Sequence, residues 1–487
     1  MEATSTFRER LRFAEKSRLE RNTGRVPEGL PIKADQGSDE ENLCPTENIP
    51  VPDCLTYFPF QRDGITFLAS RKAALLADDM GLGKSVQTIG FLNYLTAFRS
   101  CLIVCPASLK TNWAREFDRW LCDKNRSISV STGAESKNDL GADIVIINYD
   151  LLWKFHSVLS RRRWEVIVCD EGHYLKNPKA RRTKIAMDLA SRAERRILLT
   201  GTPVLSRPSE LWSLLNILDP IRWPNFYRFA HRYCAPVRTQ WGWDFTGASN
   251  QRELAEMLRG GLMLRRLKKE VLPQLPIVTR QIIALSVDTS PLLWTLTCKV
   301  AELYGFDPYN PPFRIDPEKI PFELISEIRR ETGALKAEVA LDFIRDQTMD
   351  YGQKTVIFAH HLDLLKSLYE AFKETSVLVT GETPLFSRQK AVDAFQNDIA
   401  IQYFIASTRA MGQGITLTAS SHVIFVEADW VPSILDQAEA RLHRIGQRSN
   451  VLVQYLVLAG TLDERILAAV QEKRTVINEI IETHPKL

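Results

Sequence analysis

The 487-residue sequence has no Cys-x-x-Cys pair among its eight cysteines, and this removes the usual redox and zinc-ribbon spacings. The two that lie nearest, Cys101 and Cys105 in the run CLIVC, would stand about 13 Å apart along a strand, too far for a bridge or a shared metal. Reduced thiols in a core are the expectation. With Gly 23 and Pro 24, fibrous and low-complexity readings have no support. The longest apolar stretch, residues 451–462, falls short of the roughly 18–20 residues that span a bilayer. The first residues, MEATSTFRERLRF, are charged where a secretory leader needs an apolar core. A membrane is therefore not expected as a partner. The expected location is the cytoplasm or nucleoid of a bacterial or virus-infected cell, or the nucleus of a eukaryotic one. An excess of charge is lacking too: 63 basic against 59 acidic residues give +4, so affinity for nucleic acid has to come from a local surface.

What is present is an alternation of short β-rich apolar runs with helical segments of about 10–20 residues, the pattern of doubly wound parallel sheets. One set of strands is predicted at 73–77, 101–105, 143–147, 166–170 and 197–200. A second is predicted at 355–359, 377–380, 402–406, 423–426 and 451–457. The fold class is α/β, with two such lobes and helical insertions between them. The expected domains are a charged N-terminal tail at 1–50, a first lobe at 51–204, insertions and a connector at 205–350, and a second lobe at 351–487. The tail is either a solvated charged segment or a helix that binds a partner or DNA.

After the first strand come Asp78, Asp79, Met80, Gly81, Leu82, Gly83, Lys84 and Ser85, followed by a helical segment. A glycine-rich turn between strand and helix aims backbone N–H groups at an anion, a lysine supplies charge for the β- and γ-phosphates, and a serine hydroxyl is a Mg²⁺ ligand. Asp78 stands where the general phosphate-loop pattern has its first glycine. At the end of strand 166–170, Asp170 and Glu171 place two carboxylates at the edge where open α/β sheets bind ligands. Asp170 suits Mg²⁺, and Glu171 suits the deprotonation of an attacking water. Farther on, Gln437, Arg441 and Arg444 are spaced i, i+4, i+7, which puts them on one face of a helix predicted over 433–445. The two arginines then suit a finger role on the γ-phosphate. The chemistry is that of a nucleoside-triphosphate site with Mg²⁺, in which Lys84, Asp170, Glu171, Arg441 and Arg444 are the catalytic candidates.

These blocks, with FPFQRDG at 58–64, VCPASL at 104–109, LTGTP at 199–203, VIF at 356–358, STRAMGQG at 407–414 and QAEARLHRIGQ at 437–447, resemble the ordered motifs of the Swi/Snf-type ATPases of helicase superfamily two. The segments 75–84, 241–250, 263–268 and 358–361 are most similar to the HARP-like annealing helicases. The resemblance implies two RecA-like lobes, ATP and Mg²⁺ in the cleft between them, and double-stranded or forked DNA as partner. Gln61 would read the adenine, and Lys110, Arg409 and Gln413 would contact DNA. Arg115, Arg181, Arg182, Lys184, Arg265, Arg266, Lys268 and Lys269 are further candidates for a phosphate track. A single-strand-binding protein or a replication partner could engage the tail, and a monomer is expected. The length leaves little room for the accessory domains of larger relatives.

The implied activity is that of an ATP-dependent translocase that remodels forks or reanneals strands. A protein-displacing or chromatin-type translocase shares every motif, and a DNA-binding scaffold with weak ATPase is the third reading. The sequence departs from the family at Gly172, usually Ala or Ser, and at Val431, usually Asn. Trp241 and Trp243 suit either stacking on bases or ordinary packing.

Overall fold

A computed structural model describes residues 48–133, 139–203, 207–240, 242–305, 307–309, 322–348, 353–410 and 415–481. Most of the expected tail, Trp241 and Gln413 lie outside the described residues. Among the described residues, no helix is long and apolar enough to cross a membrane.

The first sheet has seven strands: β1 Ala73–Leu76, β2 Cys101–Cys105, β3 Ile128–Val130, β4 Ile144–Asn148, β5 Val166–Asp170, β6 Arg195–Leu199 and β9 Met263–Leu264. They run in the order β3-β4-β2-β5-β6-β1-β9, all parallel. Every residue of β2, β4 and β5 is buried, as expected when helices cover both faces of a parallel sheet. The strand alternation sorts the core into two layers. Leu75, Val104, Val145, Ile167 and Leu198 point to one side, and Ala74, Ile103, Ile146, Val168 and Ile197 to the other.

The second sheet contains β10 Val278–Leu285, β11 Thr355–Ala359, β12 Ser376–Val379, β13 Tyr403–Ser407, β14 His422–Phe425 and β15 Val451–Leu458. Its order is β10-β15-β14-β11-β13-β12, again all parallel. Val356, Phe358, Phe404, Val423 and Phe425 fill one layer, and Ile357, Ile405, Ile424 and Leu456 the other. A two-stranded antiparallel ribbon, β7 Val237–Thr239 with β8 Gly242–Asp244, stands apart from both sheets.

The stretch 205–350 contributes to the lobes as well as connecting them: β9 extends the first sheet and β10 the second. Composition hides both strands. β9 has two residues before a run of arginines, and β10 is largely exposed, held by eight register pairs with β15. The seven described cysteines are free; four are buried, Cys298 is half-buried, and Cys54 and Cys122 are exposed, so the core-thiol expectation fails for those two.

Candidate active site

Sheet order decides which loops meet. Strands β5, β6 and β1 are neighbours, so the segments after their C-terminal ends, 170–173, 200–203 and 77–85, lie side by side. The loop 78–83 runs from β1 into helix Lys84–Tyr94. Gly81 and Gly83 take φ +89 and +74, a left-handed backbone that strains any residue with a Cβ. Lys84 Nζ donates to Asp78 O at 2.9 Å and Asp79 O at 3.4 Å, curling back over the loop. Ser85 is half-buried in the first turn of the helix. Gly201 is needed for a different reason: a Cβ there would stand 2.3 Å from Met80 Cγ and 3.4 Å from Lys84 Nζ.

Asp170 is buried, and its carboxylate is fixed on both oxygens. Trp113 Nε1 donates to Oδ2 at 2.8 Å, and the Glu171 amide donates to Oδ1 at 2.8 Å. Burial, reinforced by the neighbouring Glu171 charge, pushes the Asp170 carboxyl up to about 6. Glu171 itself sits at φ +52. Burial alone would raise its pKa, but His173, Lys84 and Arg441 outweigh it and hold the carboxyl below its ordinary value. His173 Nδ1 lies 3.2 Å from Glu171 Oε2. Gly172 leaves room for the family's Ala, since an added Cβ would find ordinary contacts of 3.5 Å or more.

The second lobe closes on this loop. A Cβ on Gly81 would come within 3.2 Å of Arg444 Cβ, and Lys268 Nζ, from the first lobe's side, donates to His443 O at 2.5 Å. Arg444 Nη1 donates to Thr416 Oγ1 at 2.8 Å. Arg441 is deeply placed near Glu171, and burial, with Arg444 beside it, pulls its guanidinium down to about 10. A cavity of about 730 Å³ spans the two lobes, with Asp79, Met80, Gly201 and Thr202 on one side and Asp436 and His443 on the other.

The helix predicted over 433–445 ends early, at Glu439. Beyond it the Arg441 carbonyl accepts from Leu417 N–H and the Leu442 carbonyl from Gln447 Nε2, so neither serves an i→i+4 rung. Arg441 and Arg444 therefore sit on successive turns, while Gln437 is buried on the helix. Two other expectations are corrected. Asp78 is fully buried, and its carboxylate accepts from Arg266 Nε and Nη2 at 3.0 and 2.5 Å and from Gln87 Nε2 at 3.0 Å, so the side chain braces the loop and is not free for phosphate. Arg265 donates to Ala77 O and Gly201 O, and Lys268 is buried against Asp79, so Arg265, Arg266 and Lys268 form cleft structure and not a DNA track. Gln61, the expected adenine reader, sits against the same loop: Nε2 donates to Leu82 O at 3.4 Å, and Oε1 accepts from Phe58 N at 3.1 Å.

Of the DNA candidates, Lys110 donates to Ser131 O at 2.7 Å, and Arg409, with its side chain 62% exposed, pairs with Asp429 at 3.3 Å. Sequence reasoning missed Trp113 and Glu116, whose charge acts on Arg444, and gave Arg266 to a phosphate track instead of to Asp78. Trp113 and Phe117 have the i, i+4 spacing of a core face, and nothing in the sequence separates a core tryptophan from one that orients a carboxylate.

The residues present fit a nucleotide with Mg²⁺. The loop offers two left-handed glycines and a lysine, and the buried Thr202 Oγ1 makes no hydrogen bond to a described residue.

The model of the SNF2-related domain matches residues 60–294, and that of the helicase conserved C-terminal domain matches residues 335–446. The chain is 36% identical over 426 residues to the SWI/SNF-related matrix-associated actin-dependent regulator of chromatin subfamily A-like protein 1 of Xenopus laevis, covering 86% of this chain and 44% of that protein. It is 35% identical over 436 residues to the DNA annealing helicase and endonuclease ZRANB3 of Bos taurus, covering 86% and 40%. The Sulfolobus solfataricus SWI2/SNF2 ATPase core in complex with dsDNA is similar at 24% identity and a TM-score of 0.44, over 91% of this chain and 100% of that one. The chain spans about half the length of the curated relatives it matches.

Proposed function

The chain belongs to the SNF2-related, Swi/Snf-type family of helicase-like ATPases, and on that premise we propose that it hydrolyses ATP between its two lobes and uses the cycle to move along double-stranded DNA. The observation that carries this reading is convergence. The phosphate loop and Asp170–Glu171 of one lobe meet the Arg441–Arg444 turns of the other, so hydrolysis and lobe closure share the same atoms. Held below its usual range, Glu171 is ionised at neutral pH and can take the proton of an attacking water. Lys84 leaves its carbonyl partners to meet the β- and γ-phosphates, and Arg441 and Arg444 balance the charge that builds on the γ-phosphoryl group. Ser85 and Asp170 would hold Mg²⁺, which neutralises phosphate charge when bound. Trp113 keeps the Asp170 carboxylate aimed, and Lys110 and Arg409 are the DNA-contact candidates that remain.

Relatives named as annealing helicases support fork remodelling or strand reannealing as the finer activity, and those named as regulators of chromatin support a nuclear setting and a protein-displacing alternative. Steady-state ATP hydrolysis without DNA, and with single-stranded, blunt duplex or forked DNA, separates these readings. Duplex should stimulate turnover, and fork should stimulate it more. Glu171→Gln and Lys84→Ala should each lower stimulated turnover by about 10²-fold or more with an unchanged melting temperature. Full turnover in either variant would remove the proposed mechanism, and equal stimulation by fork and blunt duplex would favour the general translocase.

A further inference from the structure

The ribbon β7–β8 carries a feature that the ATP site does not use. Trp243 is 46% exposed and Tyr227, on helix Phe226–Tyr233, is 59% exposed. Between them the rings form a continuous array. Trp243 meets His231 edge-on at 4.8 Å and lies nearly parallel to Phe245 at 6.5 Å, and Phe245 meets Tyr227 at 5.7 Å. Tyr227 and His231 are i, i+4 neighbours, so the helix presents both on one face. Arg238 pairs with Trp243 in the ribbon register, which puts the two side chains on the same face.

The arginines around these rings outnumber the carboxylates. Between residues 225 and 253 the acidic residues are Asp244 and Glu253, and both are engaged. Asp244 accepts from Thr246 N and Oγ1 at 2.9 and 3.0 Å, and Glu253 is bound by Arg232 and by Tyr233 Oη. Arg228, His231 and Arg238 are left exposed beside the aromatic array. Exposed rings flanked by cations fit a ligand with flat apolar faces and an anionic backbone. In a duplex those faces are covered by base stacking, so the partner has to offer unpaired bases.

We propose that β7–β8 and the exposed face of helix Phe226–Tyr233 form a stacking platform for the unpaired bases of single-stranded DNA, such as a fork arm. The proposal rests on the DNA-translocase reading and adds the DNA structure that would be recognised.

The test measures binding of fluorescently labelled single-stranded DNA, forked DNA and blunt duplex to the full chain and to its Trp243→Ala, Tyr227→Ala and Trp243→Phe variants. Either alanine change should weaken single-strand and fork binding about tenfold while leaving blunt-duplex binding within about twofold, and the phenylalanine change should retain most of the affinity. Replacing the bases of the single strand by abasic sites should weaken binding to the unaltered chain by a similar factor. Unchanged single-strand binding by the alanine variants would overturn the proposal and leave this face to a protein partner. An equal loss on blunt duplex would overturn it too, because the contact would then be to phosphate. A lack of duplex-stimulated hydrolysis in the unaltered chain would instead fail the translocase reading, and the binding comparison would still stand.

Discussion

Arg266 shows how one side chain can fix a catalytic loop without touching the reacting atoms. Its guanidinium reaches Asp78, Gln87 Oε1 at 2.8 Å and Phe60 O, tying the phosphate loop to the helices on either side. Arg266→Ala would leave the fully buried Asp78 carboxylate without its cation, an imbalance that costs about 3–5 kcal/mol in such pairs. Urea unfolding should show that loss. Arg266→Lys should recover little of it, since an ammonium cannot reproduce the two-pronged contact. Glu427 is a second buried carboxylate held by its neighbours. Burial would raise its carboxyl, but His361 and the amides of His360 and His361 bring it down from 4.5 to about 2. A depressed folded-state pKa gives stability that is present above the unfolded value and lost as pH falls between the two. Acid unfolding should therefore show up to about 3 kcal/mol of this loss between pH 4.5 and about 2, and Glu427→Gln should flatten that limb.

At the scale of elements, the long helix Phe322–Gln347 is anchored by a lysine that is entirely inside. Lys336 Nζ donates to Asp463 Oδ2 at 2.7 Å and to Leu456 O at 3.2 Å, joining this helix to β15 and to helix Leu462–Ile481. Lys336→Ala strands a buried carboxylate and should cost about 3–5 kcal/mol, whereas Lys336→Met with Asp463→Asn should cost less, because no lone charge remains. Hydrogen exchange across helix Phe322–Gln347 would read both. The ten strands expected from apolar runs all formed, three with the expected bounds and seven with an end shifted by one or two residues, since a strand buried on both faces needs a continuous apolar run. Strands β3, β9 and β10 were not legible: they are short or exposed, and neighbouring strands hold them by backbone pairing that the side chains do not announce.

For the whole molecule, a formal charge of +4 leaves no general attraction to DNA, so the proposed binding would have to rest on a limited set of phosphate contacts. Duplex affinity should fall with salt at a log–log slope of about −0.9 for each phosphate neutralised, and Arg409→Ala should make the slope shallower by about one unit. An unchanged slope would take Arg409 out of the DNA contacts. The lobes meet through the Lys268–His443 contact and the packing of Arg444 on Gly81. Burial there, with Arg444 and Lys84 nearby, pulls Lys268 down to about 8.

The sequence by itself determined the two parallel sheets, the glycine-rich turn between β1 and its helix, and the paired carboxylates at the end of β5, because each is written in contiguous residues whose spacing matches the period of one strand, turn or helix. Only the tertiary structure decided that Asp78 faces Arg266, 188 residues away, and that Trp113 holds Asp170 across 57 residues. It also decided that Arg441 and Arg444 lie on turns beyond their helix, where Leu417 takes a carbonyl the helix would have used. These outcomes depend on which groups meet after the sheets close, and pairing between distant segments leaves no period in the chain that could be read beforehand.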